Sequence, residues 1–162
     1  MSSRRGLLLS AAVALALCAT GARAQMPNPY GTPISLENAK KAAAPALAEA
    51  RKNNWTMAVA IVNPDGTLVY FEKMDGTQNG SAQVAQDKAR TAALYKRPSK
   101  ALQDALAAGG EGLRILSLAG ATPVEGGLPL IIDGKIVGAI GVSGGTSPQD
   151  GQCAKQGADL FK

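Results

Sequence analysis

The stretch EGGLPLIIDGKIVGAIGVSGGTSPQDG, from Glu125 to Gly151, decides the fold. Its two β-rich runs, PLIID and KIVGAIGV, meet at Asp133-Gly134, a dipeptide that readily takes the positive φ angles of a two-residue hairpin loop. A hairpin makes its two strands antiparallel. Beyond it a second glycine-rich turn leads onto a helix start, predicted with Ser147 as N-cap, Pro148 first and Asp150 third in the helix, running to about Phe161.

Outward from that segment the same grammar repeats. WTMAVAIV, from Trp55, and TLVYFEKM, ending at Met74, flank Asn63-Pro64-Asp65-Gly66 and read as another hairpin. Between the hairpins the period changes to a helix from Ser81 to about Arg97 and a shorter one from Ser99 to Ala108, stopped by Gly109-Gly110. LRILSLAG, which follows, is predicted to be a strand. Upstream, Ser35 caps an alanine-rich helix reaching about Asn53, with Pro45 inside it as a candidate bend, and Gln25 to Pro33 is an extended lead-in. The order α-β-β-α-α-β-β-β-α, with hairpins in place of β-α-β crossovers, predicts an α+β fold: an antiparallel sheet carrying helices.

The beginning of the chain reads as a targeting segment. Arg4 and Arg5 precede an apolar run from Leu7 to Leu17, and Ala22-Arg23-Ala24 offers an A-x-A cleavage site. The run falls short of the ~20 apolar residues of a membrane span. Residues 1–24 are therefore expected to be a signal peptide, twin-arginine or ordinary, residues 25–34 an extended segment, and residues 35–162 one domain that is periplasmic or secreted, with no stable membrane anchor. Loss of Arg4, Arg5 and Arg23 takes three charges off the formal +5. No basic stripe with interleaved aromatics remains, so nucleic acid is not the expected partner. Cys18 leaves with the leader, and Cys153 has no partner within the remaining chain.

The chain contains no histidine. That removes the commonest general base and metal ligand together. No C-x-x-C or clustered acidic loop replaces it, so no dedicated metal site is expected. Gly141-Val142-Ser143-Gly144-Gly145 matches G-x-S-x-G, but an elbow serine needs a base, and only a serine–lysine pair with Lys88 or Lys135 stays formally open. The same turn reads better as a cradle in which the amides of Gly144, Gly145 and Thr146 face a negative group, with Asp150 able to take up part of that capacity. Glu125-Gly126-Gly127-Leu128-Pro129 fixes an unusual backbone path where a ligand or another backbone can come close. Met74-Asp75-Gly76 is a turn with a soft sulfur beside it. On the helix from Ser81, Lys88 and Thr91 fall among apolar neighbours, so the Lys88 ammonium either snorkels outward or lines a pocket for an acidic ligand.

FEKMDGTQNGSAQVAQDKARTAA, followed by GGLPLIIDGKIVGAIGVSGGTSPQDGQCAKQGA, resembles the GlcG/HbpS family of haem-binding proteins, which is also similar to the C-terminal domain of PduO-type proteins. The likeness runs from Ser35 to Phe161. It implies a profilin-like α/β/α architecture with an antiparallel sheet of about five strands and helices on both faces, assembly into homo-oligomers, and binding of haem or a related tetrapyrrole. Some family members are described as haem-degrading, or as extracellular sensors that partner a membrane kinase. The matching positions are Met74, Asp75 and Gly76; Lys88, Ala89 and Arg90; Gly126, Gly127 and Pro129; Gly141, Ser143, Gly144 and Asp150. Some relatives use histidine ligands that this chain lacks, which leaves lysines and arginines to pair the haem propionates.

The leading expectation is an exported, oligomeric binding protein for haem or another flat acidic molecule. Its ligand residues would be Met74, Asp75, Lys88, Arg90, Thr91, Gly126, Gly127, Pro129, Gly144, Gly145 and Asp150. One alternative is an enzyme acting on haem or a small organic acid, with Lys88 and a carboxylate such as Asp75 or Glu125 as acid–base pair. Another is a non-catalytic sensory or assembly partner.

Overall fold

A computed structural model describes residues 27–161; the predicted signal peptide lies outside them. Helix α1 (Leu36–Lys52) starts where Ser35 Oγ accepts the Asn38 amide at 3.2 Å. Pro45 sits inside it without ending it, and Ala39, Ala42, Ala43, Ala46, Leu47 and Ala50 form its buried stripe. Strands β1 (Ala58–Val62) and β2 (Leu68–Lys73) make the first hairpin. Helices α2 (Ser81–Leu94) and α3 (Ser99–Ala107) follow. Strands β3 (Gly127–Ile132) and β4 (Lys135–Ser143) make the second hairpin, and α4 (Ser147–Ala158) ends in a short 3₁₀ turn, Asp159–Phe161. At the β3–β4 turn Asp133 and Gly134 both take positive φ, 50° and 71°, as a two-residue hairpin loop demands.

The sheet is antiparallel throughout, in the order β2-β1-β4-β3. Strand β1 is buried on both faces, and its alternation sorts the core in two. Val59 and Ile61 join the cluster under α1 and α4, whereas Ala58, Ala60 and Val62 join Ala85, Ala89, Ala92 and Ala93 of α2. The second cluster is almost entirely alanine, so α2 lies close on the sheet. At Gly141 a Cβ would collide with the Ala85 carbonyl, and at Gly127 with the Lys88 carbonyl. Glycine is required there by helix–sheet contact.

Three sequence expectations are corrected. The sheet has four strands rather than about five, because Gly110–Ser117, which overlaps the LRILSLAG segment predicted as a strand, is a 3₁₀ turn. Gly109 and Gly110 take φ of 68° and 55° and turn the chain back, and Gly112 then packs against the Ala105 carbonyl of α3. Only Ile115 of that turn is buried, so the alternation a strand needs never arises. Helix α2 stops at Leu94 because Lys96 adopts a left-handed φ of 53°. Helix α4 is capped one residue early: Thr146 and Gln149 form a capping box, with Gln149 Oε1 accepting the Thr146 amide at 2.9 Å.

The lead-in does more than precede the domain. The Gly31 amide donates to the Ile136 carbonyl and the Ile136 amide to the Pro29 carbonyl, both at 2.8 Å, so residues 29–31 run beside the start of β4, beyond the end of β1.

A lysine-rimmed cleft beside a buried ion pair

The strand register gathers the predicted residues at one end of the sheet. Ala58 faces Lys73 on one side and Ser143 on the other, while Gly127 faces Gly141. Met74-Asp75, Gly144-Gly145 and Gly126-Gly127 therefore share that end. They do not share one spot: β2 and β3 are opposite edges, three strand spacings or ~14 Å apart. Met74 and Asp75 line a polar hollow with Arg51, Glu72 and Lys73, away from Gly126, Gly127 and Pro129.

Lys88 crosses from α2 to α4 and is fully occupied there. Its ammonium lies 2.6 Å from Asp150 Oδ2 and 3.2 Å from the Val142 carbonyl, with side chains 1% and 3% exposed. Asp150 Oδ1 accepts the Gly145 amide at 3.0 Å, and Gln149 takes the Thr146 amide. The turn's donors thus serve the protein's own side chains. Burial pushes the Asp150 carboxyl above its usual range, although Lys88 and the Gly144 and Gly145 amides pull the other way. Gly126, at φ 127°, exists to make room: a Cβ there would stand 3.0 Å from Lys88 Nζ and 2.9 Å from Asp150 Cβ.

The remaining predicted residues also have internal duties. Thr91 Oγ1 donates to the Asp87 carbonyl at 2.7 Å and accepts the Thr122 amide at 2.8 Å, tying the loop before β3 to α2. Arg90 pairs with Asp87 at 3.2 Å and donates to the Gly66 carbonyl. Ser143 is buried and donates to the Ser81 hydroxyl at 3.2 Å, with no base beside it. Glu125 receives neither Lys88 nor Asp75; its carboxylate lies over Gly151 at the start of α4.

Gly126, Gly127 and Pro129 do line a cleft, of about 500 Å³, within the ~300–1,000 Å³ usual for small-molecule sites. Edge strand β3 is its floor, where Leu128, Pro129 and Ile131 offer apolar surface. Its walls are the segment Lys96–Lys100 on one side and Gly151, Lys155 and Ala158 of α4 on the other. Three lysines stand on the rim. Lys100 Nζ lies 2.7 Å from both Asp104 oxygens, which holds its ammonium above the usual lysine range. Lys155 pairs with Asp159. Lys96 stands 4.1 Å over the ring of Tyr30, a cation–π contact. Tyr30 is itself fixed, its hydroxyl donating to the Ala93 carbonyl at 2.9 Å.

The sequence reading missed these lysines. Their spacing carries no motif, and the left-handed turn that aims Lys96 is invisible in a lysine-arginine-proline string. The residues present fit the ring and the carboxylates of a haem: an apolar floor for the macrocycle and ammonium groups for its propionates. The cleft offers no histidine, cysteine or methionine to the iron. Among the described residues no cluster of metal-ligating side chains occurs, and no helix is long and apolar enough to cross a membrane.

An antiparallel sheet with helices on both faces and a cleft over its edge strand defines a small α+β domain. The chain belongs to the HbpS-like family, described as haem degrading protein HbpS-like, which it matches over residues 34–159. It is 38% identical over 110 residues to protein GlcG of Escherichia coli K12, across 68% of this chain and 81% of that protein. An uncharacterized 15.0 kDa protein of Citrobacter freundii is 33% identical over 130 residues, 79% of this chain and 92% of its own. The crystal structure of HbpS superposes with a TM-score of 0.75 at 31% identity, covering 82% of this chain and 92% of that one. A PduOC:haem complex gives a TM-score of 0.72 at 25% identity, covering 81% and 96%.

Proposed function

We propose that this protein binds haem or a related tetrapyrrole in the cleft over β3. The observation that carries this reading is the joining of an apolar floor to three rim lysines in one space of about 500 Å³. Family membership and a relative solved with haem support it. A bound haem would supply the redox chemistry of its iron, while the chain's own part is to bury ring surface along the apolar edge of β3 and to pair the propionates with Lys96, Lys100 and Lys155. Of the predicted ligand residues, Gly126, Gly127 and Pro129 belong to this site. Lys88, Thr91 and Asp150 would act from beneath it.

We read the protein further as exported to the periplasm or beyond, as profilin-like in its layering, as a homo-oligomer, and as a candidate partner for a membrane sensor. The Arg4-Arg5 leader pattern and the kinship with HbpS support these points. A catalytic role through Lys88 finds less support, since a base shut from solvent by its own carboxylate partner has no access to a substrate.

Titration of the purified protein with Fe(III) protoporphyrin IX tests the binding reading. A saturable Soret change at one ring per chain is expected, weakened in a Lys100→Ala, Lys155→Ala double variant. An unchanged haem spectrum at micromolar concentrations would refute it.

A further inference from the structure

We infer that the cleft recognises the carboxylate-bearing periphery of a flat macrocycle and ignores the metal at its centre, so that metal-free dicarboxylate porphyrins are ligands on a par with haem. This rests on the tetrapyrrole reading above and narrows it to a ligand class.

Four observations carry the inference. First, every lysine on the rim is already partnered: Lys100 by Asp104, Lys155 by Asp159, and Lys96 by the face of Tyr30. An ammonium group has three protons to donate and no lone pair for a metal. Second, among the described residues the soft atoms are elsewhere. Met57 and Cys153 are fully buried in the core, Met74 sits at the opposite sheet edge, and burial pushes the Cys153 thiol up to about 12. Third, the floor is made of Leu128, Pro129 and Ile131, whose contact with a ring depends on buried area and not on what the ring coordinates. Fourth, Lys96 is set in place before any ligand arrives. Its left-handed backbone and the Tyr30 hydroxyl bonds to the Ala93 and Leu94 carbonyls fix the rim at that point. A non-glycine residue held at positive φ stores strain of the kind that gathers at binding sites.

The test titrates the full protein with three probes, each kept monomeric: Fe(III) protoporphyrin IX, metal-free protoporphyrin IX and its dimethyl ester. Quenching of Trp55 fluorescence and the porphyrin's own emission give the dissociation constants. The first two are expected to agree within about threefold, and the ester to bind about tenfold or more weakly, as lost charge-assisted bonds require. In a Lys96→Ala, Lys100→Ala, Lys155→Ala variant, checked for an unchanged melting temperature, the acid should lose its advantage over the ester. Haem binding about tenfold tighter than the metal-free ring would overturn this inference and leave the haem reading standing. Equal binding of acid and ester would overturn the carboxylate half of it. Binding of neither ring would defeat the haem reading itself, and this inference with it.

Discussion

Two lysine–carboxylate pairs of nearly equal length do opposite things in this molecule. Lys88 and Asp150 stand 2.6 Å apart with 1% and 3% of their side chains exposed; Lys100 and Asp104 stand 2.7 Å apart with 49% and 58% exposed. The inner pair joins helices on the two faces of the sheet past the end of β3, and loss of either member strands a charge in a dry space. The outer pair is bathed in water, so its attraction is screened and contributes little to stability. Asp104 is open to competition by another carboxylate, whereas Asp150 is sealed from solvent. Separation alone says nothing about role; surroundings decide it.

The largest effect should come from breaking the inner pair. Lys88→Ala is expected to lower unfolding free energy by ~3–5 kcal/mol in urea melts, and a Lys88→Met, Asp150→Leu double variant to recover most of that. A loss under ~1 kcal/mol in the single variant would show that the pair is not the strut proposed. Next comes Gly141→Ala, whose Cβ meets the Ala85 carbonyl and the Ala89 amide. Overpacking there should cost ~1–3 kcal/mol, with α2 displaced, and a neutral result would mean that α2 can lift off the sheet freely.

A third test contrasts dry and wet environments by pH. Burial first, then the charges of Glu49 and Asp150, raise the Cys153 thiol from 9.0 to about 12. The folded thiol keeps its proton to higher pH than the unfolded one, so its contribution is intact below pH 9 and is lost as pH climbs towards 12. Wild type should lose ~1.4 kcal/mol per pH unit in that window relative to Cys153→Ala. Parallel curves for the two proteins would count against a desolvated thiol. The smallest effect belongs to the rim: Lys100→Ala should leave the melting temperature nearly unchanged while weakening haem binding severalfold. A melting shift as large as that of Lys88→Ala would erase the contrast between the two pairs.

Much of this was legible in the sequence, for local reasons. Both hairpins announce themselves through Asn63-Pro64-Asp65-Gly66 and Asp133-Gly134, and the Ser35 cap and Gly109-Gly110 stop mark helix ends that side chains within a few residues decide. LRILSLAG misled because its apolar residues look inward on paper, whereas two positive-φ glycines ahead of it turn the chain before it can extend. Lys88 was singled out correctly as anomalous; that its partner would be Asp150 required knowing how α2 and α4 straddle the edge strand. Glycines 126 and 127 were read as places of close approach, and they are, but their neighbour is the protein's own lysine. The rim lysines left no trace in the sequence because their meeting depends on a turn, an edge strand and the far helix together.

The strand order carries a last consequence, in time instead of space. Each hairpin closes within a dozen or so residues, but the β1–β4 seam joins Ala58 to Ser143, with both middle helices in the intervening loop. Closing so long a loop costs entropy before it returns any contact. The β1–β4 seam is therefore the strand pairing that the chain must reach furthest to make. The floor and lysine walls of the cleft all come from residues 96–159, on one side of that seam, so their meeting does not wait for it to close.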